Sequence, residues 1–408
     1  MKASNKMNSD QFLKDIQGKN VNFLIGSGAS FGIVPTLWVQ SLGKSFEDLL
    51  TSTDYDKNQR KVLYFIWFEL WIRKTKIIDL NKDNDVYNQY KRFIQNLIDF
   101  LNNEGFDKPK RVNIFTSNYD TLFEMTFDEL SKKNRLTYFN DGSRGFFKKY
   151  ISTENYHLKI SHSGMSDSFQ REIPTINLLK IHGSVTWCNS NNEVEVNLEN
   201  PIFNELCNLS DDIINSINEF NRNNDFNIFS EEDNLFSEED NLLFPEKYEE
   251  TILFGNLTEE QLSQELSRIY EKFSDQVELF YELYKTFPVV NPTKEKFSDT
   301  VFQQHYYQLL RMLSFELEKN DSVLVVFGFS FADEHILEIV RRSIVNPKLK
   351  IYVIAFNESA KKQIKEKLGN LGGNIIEYLP SSSSPDGNEV QGNFSYLNSL
   401  FDGKGTDK

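Results

Sequence analysis

The sequence predicts an α/β fold: a mostly parallel sheet interrupted by large helical insertions. Three observations predict it. Apolar runs of strand length recur at residues 21–25, 111–116, 175–181, 322–327 and 350–355. Helix-period segments separate them, and strands that alternate with helices build parallel sheets with right-handed crossovers. Four of the runs end in unusual residues: Gly26-Ser27-Gly28-Ala29-Ser30, Thr116-Ser117-Asn118-Tyr119-Asp120, Lys180-Ile181-His182-Gly183-Ser184 and Phe327-Gly328-Phe329-Ser330. Ligands of open α/β sheets sit at the carboxyl ends of strands.

The chain has 408 residues, more than one core usually needs. The expectation is one α/β core with large insertions, or two domains. A net charge of −15 argues against nonspecific binding to nucleic acid or an anionic membrane. Direct sequence-specific nucleic-acid binding is not expected either. Two cysteines, Cys188 and Cys207, suit a reducing cytoplasm and cannot form a four-cysteine zinc site. Residues 1–19 are polar and lack the apolar centre of a signal peptide. The densest apolar stretch, residues 62–72, is interrupted by Glu69 and is too short to span a bilayer. No membrane or metal partner is therefore expected.

In chain order, residues 9–17 read as a short amphipathic helix with Phe12, Leu13 and Ile16 on one side. The first strand, residues 21–25, runs into the glycine turn, where small residues allow a tight bend and free N–H groups can hold a pyrophosphate. Residues 46–50, 62–78 and 87–101 have helical spacing, so 45–104 reads as a helical insertion. Its stripe of Tyr64, Phe65, Trp67, Phe68 and Trp71 is read as packing, with a subunit interface as the alternative. The second strand, 111–116, places Asn118 and Asp120 where a site would be built, although Asp120 also suits a helix cap. Residues 149–174 cross the sheet edge, with His157 and His162 solvated. The third strand, 175–181, delivers His182 to its carboxyl end, a position for acid–base chemistry or for a structural histidine.

Residues 189–253 are rich in Asn, Asp and Glu, and the seven residues FSEEDNL at 229–235 repeat at 236–242. Two copies do not make a solenoid, and the segment reads as a surface insertion with a solvated acidic face. Helical spacing resumes at 258–284, a proline-bounded loop follows at 287–297, and 299–319 is a long helix containing His305. The fourth strand, 322–327, opens a second small-residue turn suited to phosphate or ribose. Asp333 and His335 then read as a helix cap and a helix-face residue, or as supports of a site. A fifth strand at 350–355 ends in Phe356-Asn357, a helix covers 358–368, and 374–379 is a last strand. The implied division is core at 1–44, helical insertion at 45–109, core at 110–188, acidic and helical insertion at 189–319, core at 320–380 and a C-terminal tail at 381–408.

The order and surroundings of the four strand ends resemble the sirtuin family, which implies a Rossmann-like core and NAD. Gly26–Ser30 resembles the family's glycine-alanine-glycine loop, and Gly32-Ile33-Val34-Pro35 the start of its Gly-Ile-Pro segment. Thr116-Ser117-Asn118-Tyr119-Asp120 is similar to the Thr-Gln-Asn-Ile-Asp motif, and His182-Gly183 to the catalytic His-Gly pair. Gly328-Phe329-Ser330 stands where sirtuins have Gly-Thr-Ser, and Phe356-Asn357-Glu358 resembles the late Asn-x-Glu ribose region. Two departures matter. Pro35 is followed by Thr36-Leu37-Trp38 instead of the Asp-Phe-Arg of deacylases, and the zinc-ribbon cysteines are absent. Both argue against peptide deacylation. The chain is more similar to the zinc-free sirtuin-like proteins of bacterial antiphage defence. Residues 331–336 (FADEHI), 306–319 (YYQLLRMLSFELEK) and 291–297 (NPTKEKF) resemble that branch, and the layout is closest to the subunit paired with a HerA-type hexameric ATPase.

That resemblance implies an NAD hydrolase that depletes cellular NAD, with NAD as substrate and no metal. It gives Asn118 the orientation of water or ribose, Asp120 the carboxamide, and His182 the role of base. It gives Gly26, Ser27, Gly28, Ala29 and Ser30 the pyrophosphate, and Gly328, Ser330 and Asn357 the adenosine side. A constitutive NAD hydrolase would harm its host, so low activity alone and control by homo-oligomeric assembly or a partner are expected. The alternative is an NAD- or ADP-ribose-binding scaffold without turnover. A nuclease would need a carboxylate–metal motif, and none is visible.

Overall fold

Seven strands form the central sheet of the computed structural model: β1 (Asn20–Ile25), β2 (Arg111–Thr116), β3 (Tyr138–Asn140), β4 (Thr175–Lys180), β5 (Ser322–Phe327), β6 (Leu349–Ile354) and β7 (Ile376–Leu379). The structure describes residues 2–34, 38–39, 42–77, 84–191, 193–221, 258–289, 300–369, 375–380 and 390–402. The spatial order is β7-β6-β5-β1-β2-β4-β3, and every pairing is parallel. This is the α/β, Rossmann-like architecture expected from the sequence. Strand β3 is an addition, since three residues are too few to display a period. From β1 the chain passes to β2, then to β3 at the sheet edge, and comes back to lay β4 between β2 and β3. It then returns to the other side for β5, β6 and β7, so the switch of direction falls between β1 and β5.

Side-chain alternation assigns the two faces. Val21, Phe23 and Ile25 share a core with Val112, Ile114, Val323 and Val325. On that face pack α1 (Lys2–Ile16), α3 (Asp85–Asn103) and α4 (Leu122–Ser131), where α2 denotes Lys57–Trp67. Leu24, Phe115, Leu179, Leu324 and Val326 point to the opposite face. That face is covered by α7 (Thr300–Glu318), α8 (Glu334–Ser343) and α9 (Glu358–Leu368), where α5 denotes Pro201–Asn221 and α6 Glu259–Tyr284. A parallel sheet is buried on both sides, which is why its strands read as continuous apolar runs.

Each of four adjacent strands breaks its apolar run with one asparagine, and the four lie in register. Asn22 is opposite Asn113, Asn113 opposite Asn177, and Asn177 opposite Asn140. Asn140 Nδ2 donates to Asn177 Oδ1, Asn177 Nδ2 to Asn113 Oδ1, and Asn113 Nδ2 to Asn22 Oδ1, each at 2.8 Å. Asn22 Nδ2 closes the row on Ser322 Oγ of β5 at 3.2 Å, and Asn140 Oδ1 accepts from the Gly142 N–H at 3.1 Å. A buried amide left unpaired costs about 1–3 kcal/mol, so a register slip that separated these side chains would be penalised several times over.

The helices outside the sheet layers form a second core. Residues Phe46–Thr51, α2, the π-helical segment Phe68–Ile72, α5 and α6 pack together. The insertion after β1 and the insertion after β4 thus meet in one helical module, while α3 and α7 return to the sheet. Tyr64, Phe65, Trp67, Phe68 and Trp71 are buried in that module. Glu69, the charge that interrupts the apolar run, is buried as well. It accepts hydrogen bonds from Ser210 at 2.6 Å and from Arg73 at 3.0 Å, and Arg73 reaches Asp211 at 2.6 Å, so one carboxylate ties the two insertions together. The FSEEDNL duplication, the 291–297 loop, Pro35 and most of the C-terminal tail lie outside the described residues. Among the described residues, no helix is long and apolar enough to cross a membrane.

Candidate functional site

The strand ends are level. Ile25 pairs with both Thr116 and Phe327, Thr116 with Lys180, and Phe327 with Ile354. The residues that follow each strand therefore line one edge of the sheet. Adjacent strands stand about 4.8 Å apart, so β1, β2 and β4 together present their ends across about 10 Å.

At the switch between β1 and β5 the two glycine turns lock onto each other. The Gly26 N–H donates to the Phe327 carbonyl and the Gly28 N–H to the Gly328 carbonyl, both at 3.0 Å. A Cβ on Gly26 would lie 2.5 Å from the Gly328 carbonyl oxygen, and one on Gly28 2.8 Å from the Gly328 Cα. Gly328 has φ +62°, and its own Cβ would meet the Ala29 nitrogen at 2.6 Å. These glycines thus permit an approach of backbone to backbone. The Ala29 and Ser30 N–H groups close the turn on Gly26 and Ser27. Ser27 and Gly28 form its exposed face.

Behind the turn lies a buried polar cluster. Ser30 is 1% exposed, Asp120 2% and Asn118 6%. The Ser30 hydroxyl lies 2.7 Å from Asp120 Oδ2, 3.0 Å from Asn118 Nδ2 and 2.8 Å from the Tyr90 hydroxyl of α3. With Asp120 ionised, Ser30 donates to the carboxylate and accepts from the other two, which uses its full capacity. Asp120 Oδ1 accepts from the Leu122 N–H at 3.2 Å and so also orders the start of α4. Burial pushes the Asp120 carboxyl above its ordinary range, with the charge of Lys180 opposing. Lys180 is itself buried. Its ammonium pairs with Glu124 at 2.6 Å, donates to Ser184 Oγ at 3.2 Å and holds the carbonyls of Tyr119 and Asp120. Both Ser30 and Asp120 therefore face inward, where they set the Asn118 side chain. Two acceptors of this cluster are buried without a hydrogen-bond partner, Glu124 Oε2 beyond Lys180 and Asn118 Oδ1 at the strand end. A native buried acceptor without a partner marks a position that a ligand donor can fill.

On the next strand end, His182 Nε2 lies 3.0 Å from Asp333 Oδ2, and the ring of Tyr306 stands 6.4 Å away. Asp333 Oδ1 accepts from the Ile336 N–H at 2.9 Å, so the carboxylate caps α8 and orients the imidazole at once. Burial acts to raise the Asp333 carboxyl, but the hydrogen bond and charge of His182 outweigh it and hold it below its ordinary value. An ionised Asp333 keeps the proton on Nε2 and leaves Nδ1 as the basic nitrogen. Gly183 has φ +87°, and a Cβ there would strike the Pro288 carbonyl. It pairs with Val289 in an antiparallel bridge, which seats the helical module beside the His-Gly pair.

The expected residues divide in two. Asn118, Asp120, Ser30 and the glycine turn gather with Gly328, and His182 stands at the adjacent strand end. Ser330 is exposed, its carbonyl accepting from Lys367 at 3.0 Å, and Asn357 caps α9 by accepting from the Ala360 N–H at 2.8 Å. His335 is exposed on α8, so of the FADEHI pair only Asp333 reaches the site. Sequence reasoning missed Tyr90 and Lys180. Tyr90 lies 60 residues from Ser30 inside a helical pattern, and Lys180 lies inside the third apolar run. A lysine within a run otherwise buried was the available signal. Among the described residues, no group of His, Cys, Asp or Glu is arranged to hold a metal ion. In comparison with known proteins, no family model and no curated sequence matches this chain.

Proposed function

We propose that this protein is an NAD hydrolase whose reaction takes place at the carboxyl edge of β1, β2 and β4. The observation that carries the reading is the pairing of an unpartnered buried acceptor, Asn118 Oδ1, with a carboxylate-oriented histidine on the adjacent strand end. The resemblance of the four strand-end motifs to sirtuins supplies the substrate.

The reaction breaks the bond between the nicotinamide nitrogen and the ribose anomeric carbon. The electron pair leaves with nicotinamide, and positive charge develops on the ribose ring, as in glycoside hydrolysis. Water adds to that carbon and loses a proton, giving ADP-ribose, nicotinamide and H⁺. Asn118 Oδ1 accepts a hydrogen bond from the water or a ribose hydroxyl and orients it. His182 takes the proton on Nδ1, directly or through a ribose hydroxyl, and Asp333 stabilises the imidazolium that forms. The Gly26, Gly28, Ala29 and Ser30 N–H groups are taken up within the turns, so the pyrophosphate is met on the exposed face by Ser27. Asp120 and Ser30 hold Asn118 in place. The helical module beside Gly183 limits bulk water.

The same resemblance supports a role as an NAD-depleting effector in antiphage defence, cytoplasmic and controlled by homo-oligomeric assembly or a HerA-type hexameric ATPase. The test is an NAD time course with chromatographic separation of products. Wild type releases nicotinamide and ADP-ribose, and Asn118→Ala and His182→Ala do not. Equal turnover by all three sinks the assignment. Tight NAD binding without turnover, even with the partner present, would instead identify a nucleotide-sensing scaffold.

A further inference from the structure

The opposite edge of the sheet carries a cavity of about 380 Å³ at the amino ends of β1 and β2. Asn20, Val21 and Arg111 open those strands, whereas the candidate site follows Ile25 and Thr116. Strands of this length put about 20 Å between the two edges. In a chain of net charge −15, this cavity is lined by Lys108, Lys110, Arg111, Lys159 and Lys319 against three carboxylates. Each carboxylate is already matched. Glu316 pairs with Lys319 at 2.6 Å, Glu172 with Lys159 at 3.4 Å and Asp107 with Lys108 at 3.3 Å.

Two cations remain. Among the described residues, neither Lys110 nor Arg111 makes an ion pair. The buried Lys110 ammonium donates to the Leu101 carbonyl at 2.9 Å and to the Glu104 carbonyl. Arg111 Nη2 donates to the Leu158 carbonyl at 2.7 Å, while its Nε is buried without a partner. Glu104 and Glu172 act on Lys110, and Glu316 and Glu172 on Arg111, without ion-pair contact. Taking positive groups out of water with no contacting counter-charge is unfavourable unless an anion joins them. Phe106 at the rim is 90% exposed, which leaves an aromatic face beside the cationic floor. A phosphate group satisfies the first feature and a flat heterocycle the second. The volume falls within the range of small-ligand sites.

We infer that this cavity is a second nucleotide site, with the phosphate held by Lys110 and Arg111 and the base stacked on Phe106. Nothing in the proposed hydrolysis uses it, so it is a place where a mononucleotide can bind without being consumed. The probes are adenosine monophosphate and inorganic pyrophosphate, titrated calorimetrically into the full chain. Wild type binds both. Phe106→Ser weakens the nucleotide about tenfold and leaves pyrophosphate unchanged, because stacking is lost and the charge is kept. Arg111→Gln weakens both about tenfold or more, with circular dichroism confirming an unchanged fold. NAD turnover is unaffected in the Phe106→Ser protein, which separates this cavity from the candidate site. Absence of binding by wild type at millimolar ligand overturns the inference. So does nucleotide binding that both variants retain in full. Pyrophosphate binding with no effect of Phe106→Ser on the nucleotide overturns the base-stacking assignment.

Discussion

Two buried polar clusters lie within one sheet, and they differ in closure. In the asparagine row at the middle of β1, β2, β4 and β3, every side-chain carbonyl accepts and every amide donates. At the carboxyl edge, Ser30 is saturated by Tyr90, Asp120 and Asn118, yet Asn118 Oδ1 is left open, as is Glu124 Oε2. Closed networks hold register and shape. An open one leaves one interaction for a molecule that is not part of the chain. The two clusters differ in closure although both are built on asparagine.

Substitutions should separate the two regions. The largest effect is expected at the edge: His182→Ala should lower kcat for NAD cleavage by about 10²–10⁴, the usual contribution of a general base, with the folded state retained by circular dichroism. A stable protein with full turnover would break the comparison from the side of chemistry. Next is the middle of the row. Asn177→Ala removes the donor to Asn113 Oδ1 and the acceptor of Asn140 Nδ2. Urea unfolding should show a loss of about 3 kcal/mol or more, since a bond to the Tyr156 carbonyl is lost as well and a buried acceptor is stranded, with turnover per folded molecule retained. Tyr90→Phe removes one hydrogen bond to Ser30 and should lower stability by about 1 kcal/mol on the same measurement. A loss as large as that of Asn177→Ala would show that the edge cluster carries architecture as well.

The smallest effect lies in the acid limb of stability against pH, where two site carboxylates should act in opposite senses. The folded pKa of Asp333 is depressed, so its contribution is present above the ordinary aspartate value near 3.9 and is lost as pH falls below it. The folded pKa of Asp120 is raised, so its contribution is present below that value and is lost as pH rises through the folded pKa. Asp333→Asn should therefore flatten the loss of stability on acidification, and Asp120→Asn should steepen it. Urea midpoints between pH 3 and pH 6 read both. Shifts in the same direction would show that one of the two carboxylates is misassigned.

Much of this was legible along the chain. Strands β1, β2, β4, β5 and β6 are apolar runs bounded by turn residues, and a local pattern survives in any context. Asn118, His182 and Gly328 stand out in the sequence because they follow such runs. The asparagine row had a signal too: asparagine is the third residue of β1, β2, β3 and β4. That recurrence acquires meaning only when the strands are set side by side. Asp333 read as a helix cap or a site support, and in the fold one oxygen caps α8 at Ile336 while the other contacts His182.

The sequence by itself determined the elements, their order and the residues at the strand ends, because hydrophobic periodicity and turn chemistry act over a few neighbouring positions. The tertiary structure alone decided the partners. Ser30 with Tyr90 and Asp120, His182 with Asp333, and Glu69 with Ser210 are joined across 60, 90, 151 and 141 residues. Nothing in a linear pattern specifies such pairs. They follow from strand register and from burial, which forces each polar group taken out of water to find its complement wherever the fold has placed one.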